Sequence, residues 1–164
     1  MCVLFLDLLR MPNPTADQDL SEFAQVQNLG SSVANISGWT LEDSEGLTFT
    51  FPSDALLGPG DSLVVTRDAG AFSQEFPGQC ADYSGWTAQL GNSGDSVLLR
   101  DADGQNQSYV EWRGTSDWTF DPASGETLVR IEGSDTGTSA DWTIDPAPTV
   151  PAPPCRSLIL LTQV

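Results

Sequence analysis

Asp101-Ala102-Asp103-Gly104 reads as the first half of a calcium loop, in which carboxylates at alternating positions wrap a hard cation. The second half is missing: Gln105, Asn106 and Gln107 follow, and Trp112 stands where the closing Glu would have to be. Asp-Gly is also the favoured dipeptide of a tight hairpin turn, and the turn is the reading adopted. Glu42/Asp43 and Asp117/Asp121 could in principle act as general acid and base. With 23 acidic residues in 164, however, neighbouring carboxylates are expected without any function. The chain has no His, so a Ser-His-Asp triad, a His base and a His-ligated zinc within it are excluded. No catalytic, cofactor-binding or metal-binding residue is therefore assigned, and the chain is not read as an enzyme.

Cys2, Cys80 and Cys155 are too few and too scattered for a four-Cys metal site. A Cys80–Cys155 bridge would require an oxidising compartment, and free thiols are the expectation. Asn35-Ile36-Ser37 and Asn106-Gln107-Ser108 are glycosylation sequons, whereas Pro14 disqualifies Asn13-Pro14-Thr15. Five Asn residues in a Ser/Thr-rich chain would produce about one sequon by chance, so the pair alone proves nothing. Trp86 and Trp118 lie outside the clear strands, where they could pack or form a stacking surface for a glycan or a partner.

Composition bounds the rest. At 39% hydrophobic and 18% charged, 164 residues suffice for one packed domain. All six basic residues are Arg, Lys is absent, and the formal charge is −17. Such a surface repels phosphates and anionic lipid, which disfavours direct nucleic-acid binding. It suits concentrated salt, where counterions screen self-repulsion, so a salt-adapted source is expected. No segment approaches the ~20 apolar residues that span a bilayer. The opening "MCVLFLDLL" carries Asp7 and no basic region, so a first strand is expected there instead of a signal peptide.

Period-2 alternation then places the elements. Strands are expected over Val3–Leu9 and over Glu22–Asn28, the latter with Ala24 and Val26 on one face. Trp39 and Leu41 face the core in "WTLED", as do Leu47, Phe49 and Phe51 in "LTFTF". These two segments form a hairpin through Ser44-Glu45-Gly46. "LLGPGD" (56–61) is a turn before the strand "SLVVTR", and "DAGAFSQEF" (68–76) can form one or two helical turns. "SVLLRDADGQNQSYVEW" is a second hairpin turning at Ala102-Asp103-Gly104, with Ser108, Val110 and Trp112 on one face and Tyr109 and Glu111 on the other. After Arg113 only "TLVRIE" (127–132) is strand-like. Pro146–Pro154 reads as an extended linker. The expectation is an all-β, antiparallel β-sandwich over residues 3–145, followed by a Pro-rich linker and short apolar tail over 146–164.

In order, "EFAQVQN" (22–28), "ISGWTLED" (36–43), "LTFTFP" (47–52), "LLGPGDSLVVTR" (56–67) and "LGNSGDSVLLRDADG" (90–104) resemble the motifs of the lamin tail domain family, in particular its prokaryotic branch. Residues 127–154 resemble its closing segment, extending the similarity over about 3–154. The resemblance implies an immunoglobulin-like sandwich with Trp39 as a core Trp and Trp142 as a packing residue. It further implies a non-catalytic interaction module, displayed or secreted, that binds a protein or cell-surface partner, with a cytoplasmic life in a salt-adapted organism as the alternative. An accessory domain of a larger secreted nuclease or phosphatase is the second reading, to which the Pro-rich linker points. No heptad repeat is present from which a filament rod could be built.

Overall fold

The computed structural model describes residues 4–10, 19–91, 93–114, 117–123, 126–132, 134 and 136–146, with the backbone alone at 4–10, 19 and 47. In chain order the elements are β1 (Leu4–Arg10), β2 (Phe23–Asn28), β3 (Ala34–Asn35), β4 (Thr40–Asp43), β5 (Gly46–Thr50), β6 (Leu56–Leu57) and β7 (Ser62–Thr66). The helix α1 (Ala69–Glu75) follows, then β8 (Tyr83–Ser84), β9 (Asp95–Arg100), β10 (Asn106–Trp112), β11 (Thr127–Arg130) and β12 (Trp142–Asp145).

Six strands form one sheet in the order β12-β11-β1-β2-β7-β8, and four form a second in the order β10-β9-β4-β5. β3 and β6 pair separately. All pairings are antiparallel except β7 with β8. The inward faces meet in one core built on Ala24, Val26, Leu41, Phe51, Val65, Val97, Leu99, Val110 and Leu128. This is the β-sandwich that the alternation predicts, of the immunoglobulin-like kind that the resemblance implies.

Local chemistry sets the corners. Asp43 Oδ1 accepts the amides of Glu45 (2.8 Å) and Gly46 (3.0 Å), which closes the β4–β5 turn. Gly46, at φ +130°, takes a conformation that a side chain would resist. The Asp68 side chain caps α1 by accepting from Ala71 N at 2.8 Å.

The helix changes the reading of β2. Ala24 and Val26 face the core as expected, yet Phe23 and Gln25 on the opposite face are also buried. α1 lies over that face, with Phe72 and Phe76 packed edge-on against Phe23 at 5.5 and 5.6 Å between ring centres.

Trp39 and Cys80 depart from expectation. Trp39, expected in the core, is only half-buried against it, because it precedes β4 at the rim beside the Gly38 turn. Trp86, for which packing and a stacking surface were both open, packs: it is 2% exposed, and its Nε1 donates to Thr48 Oγ1 at 2.6 Å. The segment after β8 carries it across β5 and into the core. Trp142 is buried, as the family pattern implies. Cys80 is disulfide-bonded, against the expectation of free thiols. Its suggested partner, Cys155, lies outside the described residues, as does all of the Pro-rich linker after Pro146.

Candidate functional site

The Asp101 carboxylate is occupied by its own turn. Oδ1 accepts from Asp103 N (3.0 Å) and Gln105 N (2.8 Å), and Oδ2 accepts from Gln107 Nε2 (2.8 Å). The Asp-Gly segment is thus a hairpin turn. Among the described residues no group of three or more His, Cys, Asp or Glu side chains could hold a metal ion.

Three of the four paired carboxylates are likewise committed. Glu42 pairs with Arg100 at 2.8 Å, while Asp43 closes the β4–β5 turn. Asp121 pairs with Arg113, and Asp117 is exposed. Arg67 and Arg130 are also ion-paired, to Glu22 (3.5 Å) and Asp141 (3.4 Å). With these arginines spent on internal partners, the outer surface keeps the acidic character of the composition.

Among the described residues, the most densely bonded polar group is Asp141, which is buried. Its carboxylate accepts from the hydroxyls of Ser134 (2.6 Å) and Thr136 (2.8 Å) and from the amides of Thr136 (2.9 Å), Gly137 (2.8 Å) and Thr138 (3.3 Å). Burial alone would raise its pKa, but these hydrogen bonds outweigh burial and hold the carboxyl well below the usual range. Arg130 completes the knot, reaching Ser108 Oγ at 3.2 Å and lying 5.6 Å from the Trp142 ring centre. These bonds tie the loop before β12 to β11 and β10, so the cluster is structural.

Among the described residues the sheet edges are the next candidates. β8 has two residues, and β12 has four and ends just before Pro146. β5 is covered: the Thr87 amide and hydroxyl both donate to Thr48 O, at 3.2 and 3.0 Å. β10 is seven residues long and ends its sheet. A bulge at Gln107 interrupts its register near the start and leaves Ser108–Trp112 regular. At its far end Arg113 N donates to Phe120 O (2.8 Å) and Gly114 N to Trp118 O (2.9 Å), so the chain turns back there. Arg113 makes that turn at φ +48°, a left-handed conformation uncommon for a side-chain-bearing residue.

The outward side chains of β10 are Tyr109 and Glu111. Tyr109 is 37% exposed, packs edge-on against Trp118 at 5.4 Å, and donates its hydroxyl to Glu111 Oε2 at 2.8 Å. Burial and that hydrogen bond raise the Tyr109 pKa, so the phenol stays protonated at neutral pH. Beside it lies a groove of about 500 Å3 lined by Ser44, Asp95, Ser96, Tyr109, Glu111 and Arg113, among others. The Asp95 carboxylate is engaged by the amides of Ser44 (3.1 Å), Ser96 (2.8 Å) and Gly91 (2.9 Å). An aromatic rim, hydroxyls and a strand edge suit recognition of another chain.

The family model of the Lamin Tail Domain matches residues 10–114, well over half of the chain and running from the end of β1 to just past β10. The chain belongs to this family. Lamin tail domains are non-catalytic, immunoglobulin-like domains that generally serve as protein-interaction modules. The match stops at residue 114, so the further similarity noted over 127–154 lies outside it, although β11 and β12 join the same sheet as β1. Comparison with curated proteins gives no match. No helix among the described residues is long and apolar enough to cross a membrane.

Of the aromatic candidates, only Trp118 contributes to this lamin tail surface, as a half-buried support beneath Tyr109. Tyr109 itself was legible only as an outward residue of a hairpin strand. Its place on a sheet edge follows from strand order, for which the local alternation carries no signal.

Proposed function

We propose that this lamin tail domain is displayed or secreted in a saline environment and binds a protein or cell-surface partner by strand addition along β10. The single observation that carries the reading is the position of β10, a seven-residue strand that ends its sheet and presents Tyr109 beside a groove. Strand addition draws affinity from main-chain hydrogen bonds, so it needs no special side-chain chemistry on the edge strand. Tyr109 and Trp118 supply rigid aromatic area of the kind that dominates binding energy. Counter-ions screen the −17 charge in concentrated salt, and the domain is then free to approach a partner that is not itself basic.

Affinity capture at molar salt, from separate envelope and cytosolic extracts of the source organism, tests the proposal. A saturable partner confined to the envelope fraction is expected. Capture of a cytosolic partner would overturn the localisation, and the absence of a partner in both would remove support for the binding role.

A second reading is favoured by the Pro-rich segment 146–154. The sandwich, taken as residues 3–145, would then be the accessory domain of a larger secreted enzyme of nuclease or phosphatase type. A catalytic domain encoded next to this one would support that reading.

A further inference from the structure

The two sequons are alike in sequence and different in the fold. Asn35 is exposed on β3, and among the described residues its amide nitrogen makes no hydrogen bond. Its Oδ1 accepts from Ser37 N at 3.0 Å, which bends the chain so that the sequon's acceptor and hydroxyl residues sit together at the surface. The Ser37 hydroxyl donates to Ser53 O at 2.8 Å in an exposed contact, leaving its lone pairs open. At the other sequon, Asn106 Oδ1 is held by Arg100 Nη1 at 2.5 Å. Its hydroxyl residue, Ser108, is buried and bonded to Arg130 in the Asp141 knot.

Two further observations bear on the first sequon. Asn35 is paired with Leu56 across the short β3–β6 ladder. Leu56 is 64% exposed, and Val33, two residues before Asn35, is 60% exposed, the two most exposed large apolar side chains of the described residues. A bulky hydrophilic group on Asn35 would stand over this patch and shield it. Cys80, independently, is disulfide-bonded. Disulfides persist in oxidising, mostly extracytoplasmic compartments, and glycan transfer to sequons serves exported chains.

We propose that Asn35 is an N-glycosylation acceptor and that Asn106 is not. The inference rests on the export reading above. In the transfer, Asn35 Nδ2 attacks C1 of a sugar carried on a lipid phosphate or pyrophosphate. The N–C1 bond forms as the C1–O bond to phosphate breaks, and the lipid phosphate leaves with the bonding pair. The amide proton passes to a base of the transferase, and nothing is oxidised or reduced.

The test is mass analysis of the full chain recovered from its source, in external and cytosolic fractions, with glycopeptide mapping of both sequons. A sugar mass on Asn35 of the external protein is expected. It should be lost in Asn35→Gln and Ser37→Ala and kept in Ser37→Thr and Asn106→Gln. The Ser37 pair guards against a folding defect in Asn35→Gln, since Ser37→Ala leaves Asn35 in place. External protein with a bare Asn35, or with sugar on Asn106 instead, overturns the inference while leaving the export reading intact. Protein found only in the cytosol and unmodified overturns both.

Discussion

Replacing Asp141 by Asn leaves the volume of the side chain almost unchanged and removes its charge. In the native fold that carboxylate takes hydrogen bonds from Ser134, Thr136, Gly137 and Thr138 and faces Arg130 at 3.4 Å, with both charged side chains at or below 5% exposure. The amide keeps one acceptor and turns two donors toward amides that are themselves donors. It also takes the Asp141 carboxylate away from the buried Arg130 guanidinium. Breaking a buried pair from one side costs about 3–5 kcal/mol. That is a large part of a typical domain stability of roughly 5–15 kcal/mol. With a urea m-value of about 2 kcal/mol/M, the unfolding midpoint should fall by roughly 1.5–2.5 M at fixed salt. Adding Arg130→Met removes the other half of the pair, so the double variant should lose less than the sum of the singles. The pH dependence has a definite sign. The folded carboxyl titrates below its unfolded value of about 4, so its stabilisation is complete above that value and is lost as pH falls through the range below it. Asp141→Asn should therefore flatten the acid limb of the stability profile. A loss under about 1 kcal/mol, additive singles or an unchanged acid limb would each refute the reasoning.

Trp86→Ala should cost about 3–5 kcal/mol in a urea titration. The same change at half-buried Trp39 should cost well under that, and a reversed order would contradict the observed burial. Gly94 has φ +127°, and an added Cβ would lie 3.1 Å from Arg113 O and 3.2 Å from Trp112 O. Gly94→Ala should thus lower stability by about 1–3 kcal/mol, read from the same midpoint. Cys80 should resist alkylation until a reductant is added, and reduction should lower stability by about 2–4 kcal/mol.

The hairpins were legible because their signals are local. Asp-Gly at 103–104 and Glu-Gly at 45–46 sit between alternating runs, and the structure turns at both. α1 was legible as one or two turns over 68–76, and the structure adds that Asp68 caps it. Trp86 was not legible in this way, although Trp86, Ala88 and Leu90 alternate with Thr87 and Gln89 and all three are buried: the segment joins no ladder, and the Trp86 partner, Thr48, lies 38 residues away. β3, β6 and β8 are two-residue ladders, too short for a period to register. β12 was hidden by the Ser, Thr and Gly residues before it, which read as open loop. One signal was present there: Thr138-Ser-Ala-Asp141 has the spacing of a capping box, and the structure forms one. Of the candidate surface, the alternation exposed Tyr109 and Glu111, while the edge position of β10 depends on strand order. The disulfide at Cys80 had no local signature, since three scattered cysteines leave pairing open.

Amide hydrogen exchange of the domain, alone and saturated with its captured envelope partner, tests strand addition most directly. The account predicts that amides within Ser108–Glu111 slow by at least about tenfold on binding, while those of the covered β5 edge stay unchanged. Protection confined to another surface, with β10 exchanging as in the free domain, would contradict it.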